Sequence, residues 1–194
     1  MQLLYLHGFS SAAASRKANR LRAALAPLPM TILDYPSHRP DDAIATTEQA
    51  VDAIRRNHPG DAIALIGSSL GGYYAQYLAA ARDDIAKVVM INPALDPQPP
   101  LEAWIGPNIN SVSGEPFEFT RDDWAALARY DVPRQAITTP TLLLADAGDE
   151  VIPPAFAVAK YRGLPGKTVL YPGGDHGFAH LDEALPEIRR FLNR

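Results

Sequence analysis

Six short apolar runs, separated by stretches whose apolar residues recur at helical spacing, restrict what this chain can become. The runs lie at residues 3–6, 31–33, 62–66, 87–91, 141–145 and 168–170, bounded by Gly, Pro or Asp, and each reads as a buried strand. Between them Ala18, Leu21 and Leu25 share one helical face. Ile44, Thr47, Val51 and Ile54 share another, with Asp41-Asp42 as a start signal and Pro59-Gly60 as a stop. Leu185, Ile188 and Leu192 repeat the pattern at the end of the chain. Strands alternating with helices require crossover connections, which predicts the α/β class with a mostly parallel sheet covered on both faces. A length of 194 residues supplies one sizeable core, so residues 1–194 are expected to form a single domain.

One stretch, residues 96–135, breaks the alternation. Pro97, Pro99, Pro100 and Pro107 are expected to exclude regular structure there, while Trp104, Phe117, Phe119 and Trp124 supply aromatic surface. Thr120-Arg121-Asp122-Asp123 resembles a capping box that opens a short helix through Arg129. Inserted between the fourth and fifth strands, the segment is placed over the carboxyl ends of the strands, where open α/β sheets bind ligands. It reads either as a short lid lining a pocket, with Trp104 and Phe119 against substrate, or as a surface excursion anchored by its aromatics.

Composition removes several function classes. The chain is 47% hydrophobic and 21% charged, which excludes disorder, and its net charge of -4 offers no basic stripe for nucleic acid. Without cysteine there are no disulfides, no thiolate metal site and no cysteine nucleophile, a pattern that fits a reducing compartment. The first residues, Met1-Gln2-Leu3-Leu4-Tyr5-Leu6, turn at His7-Gly8 without the form of an export signal, and no run approaches the ~20 apolar residues of a membrane span. A cytoplasmic protein with no membrane span is expected.

The chemistry concentrates at Gly67-Ser68-Ser69-Leu70-Gly71, which follows the third apolar run and opens into the helical Tyr73-Tyr74-Ala75-Gln76-Tyr77-Leu78. A G-x-S-x-G turn between strand and helix forces its serine into a strained conformation with Oγ exposed above the sheet, and the glycines let helix and strand approach. The Leu70 N–H then opens a helix, where an oxyanion is favoured. By itself the pattern is equally a glycine-rich connection. Tyr73, Tyr74 and Tyr77, behind the turn, read as core before pocket.

A serine hydroxyl needs a base held in one tautomer by a third group. His176, in Gly173-Gly174-Asp175-His176-Gly177-Phe178 directly after the sixth strand, sits on a loop able to reach Ser69. His38, His58 and His180 read as solvated or capping side chains. Of the carboxylates after the fifth strand, Asp149 is favoured because Val151-Ile152-Pro153 can fix its turn; Asp146 reads as a cap of the strand end and Glu150 as solvent-facing. The order Ser69, Asp149, His176 is that of α/β-hydrolases. In the loop after the first strand, His7-Gly8-Phe9-Ser10-Ser11, the Phe9 N–H is the candidate second oxyanion donor, the Phe9 ring reads either as a wall of an acyl pocket or as core, and His7 is expected to be a hydrogen-bonded strut rather than a catalyst.

With these residues in place the chain resembles the YqiA-type esterases of the α/β-hydrolase superfamily. The likeness runs through residues 4–9, 67–75, Asn92-Pro93-Ala94, Gly148-Asp149-Glu150-Val151 and residues 173–178. It implies a compact three-layer sandwich that begins at the strand carrying the oxyanion loop, with a six-stranded parallel sheet in the order 2-1-3-4-5-6. It also implies Ser69, Asp149 and His176 as a triad, no metal or organic cofactor, and a small-molecule ester or thioester substrate, acyl-CoA included. Two competing readings keep the scaffold: cleavage of a carbon–carbon or amide bond, or a non-catalytic pocket for a small apolar ligand. A dinucleotide site fits poorly, since Gly67 to Gly72 reads G-x-x-x-G-G.

Overall fold

The computed structural model describes residues 1–193. The elements run β1 (Gln2–Leu6), α1 (Arg16–Leu25), β2 (Met30–Ile32), α2 (Pro40–Asn57), β3 (Ile63–Ser68), α3 (Leu70–Ala81) and β4 (Ile85–Ile91). They continue with α4 (Gln98–Leu101), β5 (Gly106–Ile109), β6 (Pro116–Phe119), α5 (Arg121–Ala126), β7 (Thr141–Asp146), α6 (Ala155–Tyr161), β8 (Gly166–Tyr171) and α7 (Leu181–Leu192). Six strands form one parallel sheet in the order β2-β1-β3-β4-β7-β8. Counting only its own strands, this is the expected 2-1-3-4-5-6; the labels run ahead because β5 and β6 pair with each other in a separate antiparallel ribbon.

Successive strand residues point to opposite faces, and both faces are apolar because both are covered. Leu3 and Tyr5 of β1, Ala64 and Ile66 of β3, and Leu142 and Leu144 of β7 pack with Ala18, Leu21 and Leu25 of α1 and Ala184, Ile188 and Leu192 of α7. Leu4, Leu6, Leu65, Met90 and Leu143 face the other way, onto Ala43, Ile44, Val51 and Ile54 of α2 and Tyr73, Tyr74 and Leu78 of α3. The strand and helix patterns in the sequence are therefore two views of one pair of cores.

The insert corrects one expectation. Its prolines do not exclude regular structure, because each occupies a position that needs no N–H. Pro99 and Pro100 stand in the first turn of α4, whose amides have no partner within the helix. Pro107 stands in β5 opposite Glu118, in a ribbon whose strands are both edges. The expected capping box is present: Thr120 Oγ1 accepts from the Asp123 N–H at 3.0 Å, and the Thr120 N–H donates to Asp123 at 3.1 Å. α5 then tightens into a 3₁₀ turn over Leu127–Tyr130. Tyr73 ties the insert to α3, donating from its buried phenol to the Leu127 carbonyl at 2.6 Å, and Tyr74 donates from the same helix to the Ser37 carbonyl of the segment before α2 at 2.9 Å. Both tyrosines are core, as expected of their helix. Among the described residues no helix is long and apolar enough to cross a membrane.

Candidate active site

β3 ends at Ser68, and the chain reverses through Ser69 at φ 54°, ψ -123° before α3 begins at Leu70. This left-handed conformation costs a non-glycine residue about 1–3 kcal/mol and persists only where its surroundings impose it. Here they do. The Ser69 N–H donates to Ile91 of β4 at 3.0 Å, and the Ser69 carbonyl accepts from Gly72 at 2.9 Å and Ala94 at 3.1 Å. α3 comes down directly on β1, because a side chain at Gly71 would meet the His7 carbonyl at 2.6 Å and collide with that of Leu6.

Three side chains from three separate loops meet above this edge. Ser69 Oγ lies 3.0 Å from His176 Nε2, and His176 Nδ1 lies 2.9 and 3.0 Å from the two Asp149 carboxylate oxygens. Because Nδ1–H donates to a carboxylate that can only accept, Nε2 is left with its lone pair directed at the serine hydroxyl. The Asp149 side chain is 1% exposed. Its Oδ1 also accepts from the Val151 N–H at 3.0 Å and the Ile152 N–H at 2.7 Å, which compensates for burial. The Val151-Ile152 turn thus fixes the acid through its backbone amides.

The loop after β1 presses against the serine: a Cβ on Gly8 would lie 3.0 Å from Ser69 Cβ and 3.4 Å from its Oγ. Its carbonyls are turned away from the site. His7 O accepts from Tyr35 Oη at 2.6 Å, and Gly8 O accepts from Ser37 Oγ at 3.0 Å and from His7 Nδ1 at 2.9 Å. In a trans peptide the N–H points opposite to the C=O, so anchoring the Gly8 carbonyl aims the Phe9 N–H the other way. The Leu70 N–H, at the first position of α3, has no helical carbonyl before it. His7 is the expected strut, and burial pulls its imidazole below the usual histidine range, so that it stays neutral.

Of the residues expected to line a pocket, Phe9 contacts Trp104, Phe117 and Phe119 edge-to-face at ring separations of 5.7, 5.5 and 5.1 Å. Trp104 is 46% exposed and Phe119 1%. Phe119 therefore backs Phe9 from within the core and presents no free wall. An apolar cleft of about 270 Å³ lies between Pro93, Leu95 and Pro99 on one wall and Val151, Ile152 and Phe156, the last on α6, on the other. A polar cavity of about 360 Å³ flanks the loop after β1, lined by Ser10, Ser11, Asp34, Ser37 and Glu115. Among the described residues no cluster of three His, Asp or Glu side chains is arranged to hold a metal ion.

Two supports escaped the sequence reading. Asn92, in the left-handed region at φ 43°, accepts from the Asp146 N–H at 2.8 Å and donates from Nδ2 to the carbonyls of Asp175 at 2.9 Å and His176 at 3.2 Å. Its position before Pro93 at a strand end was the available signal. Asp146, expected to cap its own strand, reaches further. Fully buried, it accepts from Asp175 N at 3.2 Å, Ala179 N at 2.8 Å and His180 Nδ1 at 2.7 Å, so it holds both ends of the His176 loop. His180 is accordingly neither free nor merely solvated; its ring also stacks on Tyr171 at 5.1 Å. Glu150 is exposed as expected, yet it accepts from the His176 N–H at 3.2 Å. His38 is half-buried against Phe117 at 4.6 Å, and burial lowers its pKa, while His58 ends α2 as expected.

Known structures share this architecture. Est1E from Butyrivibrio proteoclasticus is similar with a TM-score of 0.78 at 19% identity, over 99% of this chain and 86% of that one. The monoacylglycerol lipase of Paleococcus ferrophilus gives 0.71 at 17% identity, over 98% and 93%. The esterase domain of a Rhodothermus marinus protein gives 0.68 at 18%, over 97% and 83%. At these identities the likeness establishes the α/β-hydrolase fold. The model of the uncharacterised protein family UPF0227 matches residues 2–193, and on that match the chain belongs to UPF0227, the YqiA family.

Proposed function

We propose that this protein is a serine hydrolase that cleaves carboxylic esters or thioesters through an acyl-enzyme. The observation that carries the reading is the continuous chain of contacts from Ser69 Oγ through His176 to the buried Asp149. Ser69 Oγ attacks the substrate carbonyl while its proton passes to His176 Nε2, and the resulting imidazolium is stabilised by the Asp149 carboxylate at Nδ1. The N–H groups of Phe9 and Leu70 receive the negative charge that develops on the carbonyl oxygen, each donor contributing about 2.7–4 kcal/mol in such sites. Collapse expels the alcohol or thiol, which takes its proton from His176. Water, deprotonated by the same nitrogen, then frees the acid and restores the serine. The apolar cleft beside Val151 and Ile152 suits an acyl chain, and the polar cavity beside Ser10 and Ser37 suits the leaving group. Two of the similar structures bear the names lipase and esterase, which agrees with this assignment.

The test is turnover of p-nitrophenyl acetate and butyrate beside a matched thioester, with wild type and Ser69→Ala compared. Ser69→Ala is expected to lose at least about 10⁴-fold in kcat with its fold intact. Undiminished hydrolysis by that variant contradicts the assignment.

A further inference from the structure

Lys17 stands in the first turn of α1, after the cap residue Ser15, and donates from Nζ to Ser68 Oγ at 2.8 Å. Ser68 is the last residue of β3, 5% exposed, and immediately precedes the strained Ser69. By strand alternation its side chain points to the α1 side, together with Ala64 and Ile66. The Tyr5 phenol of β1 is buried beside this pair, and burial pushes it up to about 12. Above it lies the His176 loop: Lys17 lines a cavity of about 510 Å³ with Asp175, Gly177 and Phe178 of that loop and Asp182 of α7.

The charges around this ammonium are uneven. Asp149, Asp175 and Asp146 all act on Lys17, and two of these carboxylates are almost fully buried. His176 and His180 accompany Asp149 and Asp146, and His7 is held neutral. On its own helix Arg20 is engaged with Asp182 at 2.8 Å, and Arg16 lines the same cavity. Asp146 and Asp149 are buried on one turn and Asp175 is exposed on the His176 loop, and carboxylates gathered in this way repel one another less where a cation stands near them. We propose, resting on the serine hydrolase reading, that Lys17 is a positioning residue: its ammonium joins the end of β3 to the Asp146–Asp149 turn and the His176 loop, keeping Ser69, His176 and Asp149 in register. A misplacement of about 1 Å in such an array costs on the order of a hundredfold in rate.

Burial pulls the Lys17 ammonium from 10.5 down to about 8, so the link breaks at moderately alkaline pH. Between those two values the unfolded chain holds a proton that the folded chain has released. Folding stability therefore rises with pH in that window while the proposed positioning is lost. A purely structural lysine would not separate activity from stability in this way.

The experiment follows kcat and KM for p-nitrophenyl acetate, and the melting temperature, from pH 6 to 10 in wild type, Lys17→Met and Lys17→Arg. At pH 7 Lys17→Met should lose on the order of tenfold to a hundredfold in kcat with KM nearly unchanged. Wild-type kcat should fall through about pH 8, Lys17→Arg should keep its activity there, and wild type should gain melting temperature relative to Lys17→Met over the same range. Wild-type kcat in Lys17→Met, or the same alkaline fall in Lys17→Arg as in wild type, overturns the proposal. Should Lys17→Met fail to fold, the comparison of wild type with Lys17→Arg decides. Ser69→Ala is measured alongside: if it still hydrolyses the ester the hydrolase reading fails, whereas loss in Ser69→Ala without the Lys17 effects sinks only the Lys17 proposal.

Discussion

Asp149 shows how far one side chain depends on where its neighbours' N–H groups point. Its carboxylate is buried, accepts from two backbone amides of its own turn, and fixes which ring nitrogen of His176 carries the proton. Asp149→Asn keeps the shape but offers an NH₂ group or a weaker acceptor to Nδ1, so the wrong tautomer becomes accessible and kcat should fall by on the order of 10⁴-fold. Steady-state turnover of p-nitrophenyl acetate, with a circular dichroism spectrum to confirm folding, checks this; a loss below about tenfold would mean that the carboxylate does not set the tautomer. Ser69, His176 and Asp149 were legible because each follows a strand in a recognisable turn. Asn92 and Asp146 were not, because their roles lie in bonds to residues 83 and 34 positions away, which only the assembled sheet edge brings close.

At the scale of elements, the junction of β3 with α3 is governed by missing side chains. A methyl group at Gly71 has no free space, since the Leu6 and His7 carbonyls occupy its place, so α3 would have to lift from β1. Gly71→Ala should destabilise by about 1–3 kcal/mol, the usual cost of overpacking, and should lower kcat because Ser69 and the Leu70 N–H ride on the same helix. Urea unfolding and turnover measured on one preparation test both, and an unchanged midpoint would show that the junction has slack. The sheet strands were readable as unbroken apolar runs, because both their faces are buried in the two cores, and the main helices from the period of their single apolar face. The β5–β6 ribbon was hidden by Pro107 and Pro116, residues that a central strand rejects and an isolated two-stranded ribbon accepts.

Across the whole molecule, tyrosines join layers that strands and helices leave apart. Tyr35, Tyr73, Tyr74 and Tyr161 each donate a buried phenol hydrogen bond, and burial raises the pKa of all four, as it does for Tyr5, which moves to about 12. Above pH 10 the unfolded chain releases these protons while the folded chain keeps them, so the stability they confer is present below pH 10 and declines as pH rises toward the folded values. Tyrosinate absorbance should therefore appear together with loss of the helical circular dichroism signal in an alkaline titration; smooth ionisation of these phenols in a still-folded protein would contradict it. The most direct measurement of the central assignment also reads the whole molecule, as the intact mass of the protein after exposure to a fluorophosphonate. One adduct per chain, mapped to Ser69 and abolished in His176→Ala, is the result predicted here. An unmodified protein, or an adduct on another residue, would contradict the assignment of Ser69 as an activated nucleophile.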